Sequence, residues 1–266
     1  MPLVFIASSN GGVGKTTLAA TLAVEFSGRG RATTLLELCG QNVVMRHLGA
    51  DDRVPDGAPT GPVARPAHNL GDDAGAAMAA AARRIDDNLR VIPFSAIGER
   101  PGEFTVVQGV DFAAAVASHR LFREEIVLVD APQCAVSELD ARDDVVLPIF
   151  VLRADLSSAA TLAGTDVPQR AKDQALRARF VLNMIDRRRT LCRDVEATVG
   201  EALGEALVGK IGYDEAAPES FAREPVADAA AANSRFVDET KALGDAILQE
   251  LDARNAASLR DVARSA

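Results

Sequence analysis

The apolar positions near the start of the chain fall in short blocks whose spacing changes from one block to the next. Residues 3–7 (LVFIA) form an uninterrupted apolar run, followed at 8–17 by the polar, glycine-rich stretch SSNGGVGKTT. A run that short, closed by glycines, reads as a strand buried on both faces. At 16–26, TTLAATLAVEF sets Leu18, Leu22 and Phe26 on one helical face, and Gly28 and Gly30 stop the helix. A second apolar run, ATTLLEL at 32–38, completes a strand, loop, helix, strand unit. Such a unit has parallel strands and a right-handed crossover.

The same reading downstream predicts strands at 89–93, 126–130, 145–152, 180–185 and 207–211. It predicts helices at 76–85 and 111–122, one between 152 and 180, and a long, mostly polar one at 234–255. Periodicity vanishes from 51 to 73, where VPDGAPTGP marks a loop or insertion. No internal repeat is visible. The expected fold is α/β: a doubly wound, mostly parallel sheet in a three-layer α/β/α arrangement. One domain is expected over 1–250, with a Pro/Gly-rich insertion at about 51–75 and a polar tail at 251–266.

Composition narrows the class. Apolar residues make up 48% of the 266 but aromatics only 4%, with no tryptophan, so the core must be built from Val, Leu, Ile and Ala. Buried parallel strands under alanine-rich helices fit that supply. Cys39, Cys134 and Cys192 are scattered without a CxxC spacing, which argues against a disulfide framework, a classical zinc site or an iron–sulfur centre. A formal net charge of −9 disfavours a chain that coats nucleic acid. The amino end lacks a basic segment before its apolar run, and no apolar stretch approaches the roughly 20 residues of a spanning helix. The expected location is cytoplasmic. The tail LDARNAASLRDVARSA has too few large apolar residues for direct membrane insertion.

The candidate chemistry sits in GGVGKTT. Gly11, Gly12 and Gly14 let the chain turn so that successive N–H groups, from Asn10 and Val13 onward, point at an anion, and the following helix adds its positive end. Lys15 is placed to meet the β- and γ-phosphates, Thr16 to ligate Mg²⁺, and Thr17 to contact the α-phosphate. IVLVDAPQ supplies a carboxylate, Asp130, after four apolar residues, as a second metal residue. A ligand-free glycine turn and an ordinary Asp-Ala-Pro turn are the plain alternatives; the pairing of an intact GKT with a buried strand ending in Asp disfavours both. The expected cofactors are ATP and Mg²⁺.

GGVGKTT, the TLLEL strand and IVLVDAPQ together resemble the P-loop ATPases of the ParA/MinD class. That class carries a lysine where Asn10 stands and a D-x-D-P-Q-like motif after its second strand; here the motif reads ELCGQ, with Glu37 and Gln41 in place and Cys39 where the class has its water-activating aspartate. VLNMID resembles the class's adenine motif, with Asn183 as the base-reading amide. Within the class, the branch of cellulose-biosynthesis accessory proteins (BcsQ, or YhjQ) is most similar. That likeness rests on the missing lysine, the Cys-containing motif and the segment IGYDEAAPESFAREPVADAAAANSRFVDE.

The resemblance implies a homodimer formed on nucleotide binding and, for this branch, partners in the cellulose synthase complex at the inner membrane. It also implies slow or absent hydrolysis. Asn10 cannot supply the lysine's charge, and a thiol at neutral pH is a poor water activator. Lys15 and Glu37 remain as catalytic candidates. The alternative function is a ParA/MinD-type ATPase positioning DNA or another cargo; a third is a small-metabolite synthetase or reductase, for which no second substrate motif is present. The basic run of Arg187, Arg188, Arg189 and Arg193, with Arg170, Lys172, Arg177 and Arg179 before it, reads first as a solvated face, second as the non-specific DNA surface that ParA-type relatives carry, and third as a docking patch. His47, His68 and His119 stand isolated and read as structural or solvent-facing.

Overall fold

Every residue of the first apolar run is buried, which a strand achieves only with a neighbour on each edge and a layer on each face. In the computed structural model this strand, β1 (Leu3–Ser8), lies between two parallel partners. The structure describes residues 3–41, 43–49, 74–97, 105–140, 146–214 and 235–265. The expected insertion at about 51–75, up to residue 73, and most of the IGYDEAAPESFAREPV segment lie outside these.

The strands that follow are β2 (Thr33–Glu37), β3 (Arg83–Arg84), β4 (Leu89–Ile92), β5 (Ile126–Gln133), β6 (Val146–Arg153), β7 (Arg179–Ile185) and β8 (Leu207–Gly212). They form one sheet in the order β3-β4-β2-β5-β1-β6-β7-β8. All pairings are parallel except the β3–β4 edge. The helices are α1 (Lys15–Gly28), α2 (Val44–His47), α3 (Ala74–Ala81), α4 (Val106–Ser118), α5 (Val136–Asp140), α6 (Leu156–Ala163), α7 (Val167–Lys172), α8 (Thr190–Leu203) and α9 (Arg235–Ser265).

The two-residue alternation of β1 divides the core. Leu3, Phe5 and Ala7 join the layer built with α3 to α8, while Val4 and Ile6 join the layer built with α1, α2 and α9. This is the expected doubly wound, three-layer α/β/α arrangement. Because β1 has β5 on one side and β6 on the other, the chain winds away from it in both directions. The crevice at its carboxyl end is the place where such sheets bind ligands.

Several elements differ from the sequence reading. The helix expected at 76–85 ends at Ala81, because the Asp86 carboxylate accepts from the N–H groups of Asn88 and Leu89 and turns the chain back, so that Arg83 and Arg84 pair with β4. The helix expected at 111–122 begins at Val106, started by a Thr105–Gln108 capping box. One helix was expected between 152 and 180; α6 and α7 share that interval. α8 was not expected at all, although Cys192, Val195, Val199 and Leu203 form its buried stripe. β5 runs past Asp130 to Gln133; Pro132, which has no N–H to give, sits where β2 has already ended. The last helix continues to Ser265 rather than stopping at 255.

α9 closes the layer over α1 and β8. Gly209 makes this possible, since a Cβ there would lie 2.9 Å from Leu243 Cδ1. Arg254 donates to the carbonyls of Val146 and Arg177 at 3.1 and 3.0 Å, and Arg179 pairs with Glu250 at 2.9 Å. Urea denaturation of Leu243→Ala is expected to show a loss of about 2–5 kcal/mol, and Gly209→Val a loss of about 1–3 kcal/mol. The double variant should lose less than the two losses added, because the new methyl groups fill the space that Leu243 vacates. Strict additivity would show that the two positions do not touch.

Candidate nucleotide-binding site

The loop from Ser8 to Lys15 keeps its shape through backbone conformations and close contacts that only glycine allows. Gly12 and Gly14 have φ of +68° and +83°. A Cβ on Gly11 would meet Gln133 Nε2 at 2.7 Å, and one on Gly14 would meet Asn183 Nδ2 at 2.6 Å. The Ser8 hydroxyl donates to the Asn10 carbonyl at 2.7 Å, and the Ser9 hydroxyl to the Cys134 carbonyl at 3.2 Å. Gly14 then caps α1, accepting from the Leu18 N–H at 3.0 Å. The cleft above the loop has a volume of about 670 Å³ and is lined by residues 10–17 together with Cys39, Gln41, His47 and Gln133.

The loop brings Lys15 and Thr16 onto Asp130. Thr16 Oγ1 donates to Asp130 Oδ2 at 2.7 Å, and Lys15 Nζ stands 3.9 Å from Oδ1. Glu37 lies beside Asp130 in register across β2 and β5, and both side chains are fully buried. Cys39 joins them: its Sγ donates to Asp130 Oδ2 at 3.0 Å and is 3.6 Å from Glu37 Oε1, which also accepts from the Val43 N–H at 3.0 Å. Glu37 Oε2 and Asp130 Oδ1 have no hydrogen-bond partner among the described residues.

Burial dominates the protonation of this cluster. It pushes the Glu37 carboxyl up to about 7, the Val43 N–H pulling the other way and the Asp130 charge adding to the rise. Burial also raises Asp130, against Lys15, Cys39 and Thr16. The Cys39 thiol is raised by burial and by Asp130, so it stays protonated. Two buried carboxylates with orphaned oxygens, facing a hydroxyl and a lysine under a ring of N–H groups, fit a phosphate-bound divalent cation.

The sequence-predicted residues 10–17, Glu37 and Asp130 are thus brought to one place. Asn183 sits behind the loop: its amide donates to the Val13 carbonyl at 2.8 Å, and its carbonyl accepts from Met184 N–H at 2.9 Å. Two lining residues had no sequence signal. His47 Nδ1 is 3.0 Å from the Val43 carbonyl, so the neutral ring donates there and accepts the Thr17 hydroxyl at Nε2, 3.1 Å away. Burial lowers its pKa and keeps it neutral. Gln133 packs on Gly11 from a strand that was expected to have ended. The arginine run is largely engaged: Arg187 pairs with Glu196, Arg188 with Asp186, Arg179 with Glu250, and Arg170 with Asp140.

A glycine loop between a central parallel strand and its helix, with a buried carboxylate on the next strand, defines a P-loop nucleotide-binding protein of the doubly wound α/β class. The family model described as the CobQ/CobB/MinD/ParA nucleotide binding domain matches residues 4–226, and the chain belongs to that family. Comparison with curated proteins found no significant match. Among solved structures, it is similar to the septum site-determining protein MinD of Pyrococcus horikoshii, complexed with Mg-ADP: TM-score 0.65, 19% identity, 95% of this chain and 98% of that one covered. It is similar to the MinC:MinD cell division protein complex of Aquifex aeolicus, with TM-score 0.65, 16% identity and 94% and 96% coverage. Cobyrinic acid a,c-diamide synthase of Mycobacterium smegmatis, with bound ADP and magnesium, gives TM-score 0.60, 19% identity and 95% and 96% coverage.

The Glu37 shift makes stability depend on pH. Between its ordinary 4.5 and about 7, the native chain holds a proton that the unfolded chain has lost, so stability falls as pH rises through that window. The fall amounts to about 3 kcal/mol, and Asp130 acts in the same direction. Urea denaturation without divalent cations or nucleotide is expected to show lower stability at pH 8 than at pH 5, with a smaller difference in Glu37→Gln. An equal difference in both proteins would place the effect elsewhere.

Proposed function

We propose that this chain binds Mg·ATP in the loop cleft, dimerises on it, and uses the loaded dimer as an assembly element with slow turnover. The observation that carries this reading is Cys39 Sγ, hydrogen-bonded to Asp130 in the position where the ParA/MinD class has an aspartate. In hydrolysis the attacking water must be oriented and must lose a proton as its oxygen meets the terminal phosphorus. A protonated thiol whose hydrogen already points at a carboxylate does neither. Glu37 is the nearby group able to take a proton, but it is fully buried and held by the Val43 N–H. Asn10 lines the cleft without a charge.

The binding half of the machinery is intact. Lys15 balances phosphate charge, the loop N–H groups and the α1 terminus hold the phosphates, and Thr16 with Asp130 would hold Mg²⁺. When bound, that ion would neutralise phosphate charge. Asn183 remains the proposed base-reading amide, and the proposed place for the base is the cavity at the ends of β7 and β8, lined by Ile185, Asp186, Arg187, Tyr213 and Asp214. ATP then acts as a ligand that selects one conformation.

For its setting, we assign the chain to the cellulose-biosynthesis branch, where the loaded dimer would assemble or position cellulose synthase components at the inner membrane. The missing loop lysine and the ELCGQ motif support that assignment, and MinD of Aquifex aeolicus seen with MinC supports a protein partner. No helix among the described residues is long and apolar enough to cross a membrane. Positioning of DNA or another cargo is the competing role.

Calorimetry on the full chain is expected to record saturable Mg·ATP binding, weakened about a hundredfold or more in Lys15→Ala, the loss of one charged phosphate contact. Sedimentation should show a dimer with a non-hydrolysable ATP analogue, and only the loaded form should be captured by a cellulose synthase cytoplasmic region. The absence of heat on titration would end the nucleotide reading; capture of both forms alike would end the switch.

Cys39→Asp is expected to raise ATP turnover by about tenfold or more, since a positioned base is worth roughly 10²–10⁴. Duplex DNA should leave wild-type turnover unchanged. A wild-type rate equal to that of Cys39→Asp would refute the slow-turnover claim, and strong stimulation by DNA would favour the cargo role.

A further inference from the structure

Beside Asp130, which the nucleotide reading gives to Mg²⁺, Cys39 and Glu37 add a thiol and a second carboxylate that a magnesium–nucleotide complex does not need. One ligand atom each from Glu37, Cys39 and Asp130 lies within 4.8 Å of the others. Cys39 Sγ is 3.0 Å from Asp130 Oδ2 and 3.6 Å from Glu37 Oε1. A tetrahedral ion about 2.3 Å from sulfur and about 2.0–2.2 Å from oxygen spans ligand-to-ligand edges of about 3.4–3.6 Å. The two sulfur–oxygen edges, 3.0 and 3.6 Å, lie near those values and the third is within 4.8 Å, so small side-chain shifts bring the three onto one face of such a tetrahedron.

A second observation, independent of that spacing, points to a cation. Glu37 and Asp130 are fully buried, and each keeps one carboxylate oxygen without a hydrogen-bond partner among the described residues. Burying such oxygens costs several kcal/mol unless a positive charge or donor meets them, and Lys15 Nζ reaches only to 3.9 Å of Asp130. Cys39 is half-buried and lines the cleft, so the cluster opens to solvent on the sulfur side.

Sulfur decides which cation. Magnesium and calcium take oxygen ligands, whereas a thiolate selects zinc and ions of similar softness. We propose that Glu37, Cys39 and Asp130 bind a thiophilic divalent cation of the zinc class in the nucleotide-free protein. On binding, the S–H bond breaks, its proton and any held by the Glu37 and Asp130 carboxyls leave to solvent, and the sulfur lone pair and one oxygen of each carboxylate form the bonds to the metal. The fourth position faces the cleft and takes water. The inference goes beyond the nucleotide reading and does not depend on it.

Cobalt(II) is the probe, because a thiolate bound to it gives a near-ultraviolet charge-transfer band that carboxylate or surface binding does not. Titration of the untagged, nucleotide-free full chain is expected to produce that band with one ion per chain, and zinc should remove it by displacement. The band should persist in Cys134→Ala/Cys192→Ala and vanish in Cys39→Ser, whose far-ultraviolet circular dichroism should match wild type. Glu37→Gln should keep the band but bind cobalt about tenfold or more weakly. No band in wild type, a band surviving in Cys39→Ser, or unchanged affinity in Glu37→Gln would each overturn the site. Should Cys39→Ser fail to fold, the Glu37→Gln affinity decides. Calorimetry with Mg·ATP, run on the same wild-type protein, reads the nucleotide site separately.

Discussion

Asp130 is a carboxylate with no exposure to solvent, and that condition organises the centre of the molecule. A lone buried carboxylate would cost several kcal/mol, so the fold has to bring donors and positive charge to it. Thr16 and Lys15 arrive on the first turn of α1, and Cys39 arrives from just beyond the end of β2. Each can do so only because β5 runs between β1 and β2 in parallel register, which puts the carboxyl ends of all three strands at one level. The apolar sheet is thus the means by which the polar centre is assembled.

The protein's own donors nevertheless leave this centre incompletely paired. Lys15 stands 3.9 Å from one of the two adjacent carboxylates, Asp130, and one oxygen of each carboxylate lacks a hydrogen-bond partner among the described residues. Burial raises the proton affinity of both groups, which means that the empty site favours neutral carboxyls and a charged site requires a cation. Any ligand that delivers positive charge here is stabilised by the same free energy that destabilises the ionised empty state, and it stabilises the folded chain in return. That linkage gives a nucleotide-binding protein a physical means of responding to its ligand.

Much of this was legible from the chain. The strand 3–7, the glycine loop and the helix after it each carry a strong local signal, and the three signals agree, so the βαβ unit and residues 10–17 and 130 could be read directly. The elements that escaped lack such agreement. α8 buries four residues in an otherwise polar stretch that begins directly after an arginine run. β3 has two residues and exists because Asp86 turns the chain onto β4. Pro132 suggested a turn, and only the early end of β2 makes it compatible with a strand. His47 meets Thr17 through a short helix packed on α1, a contact that no spacing in the sequence encodes.

Asn183 shows how the loop is tied to the far half of the sheet. Its amide holds the Val13 carbonyl, and its own carbonyl accepts from Met184, a residue held at a φ of +59°. A non-glycine residue in that region carries strain of about 1–3 kcal/mol, and the Asn183 bond to Met184 helps to hold it. The same side chain lies against Gly14, so a side chain larger than hydrogen at 14 would displace the amide and loosen both contacts at once. The loop is thus joined through contacts to the carboxyl end of β7, where Tyr213 donates its N–H to the Ile185 carbonyl and the second cavity opens. β7, rather than β1 alone, connects the phosphate cradle to the surface formed by Asp186, Arg187 and Tyr213, and the connection runs through one buried amide.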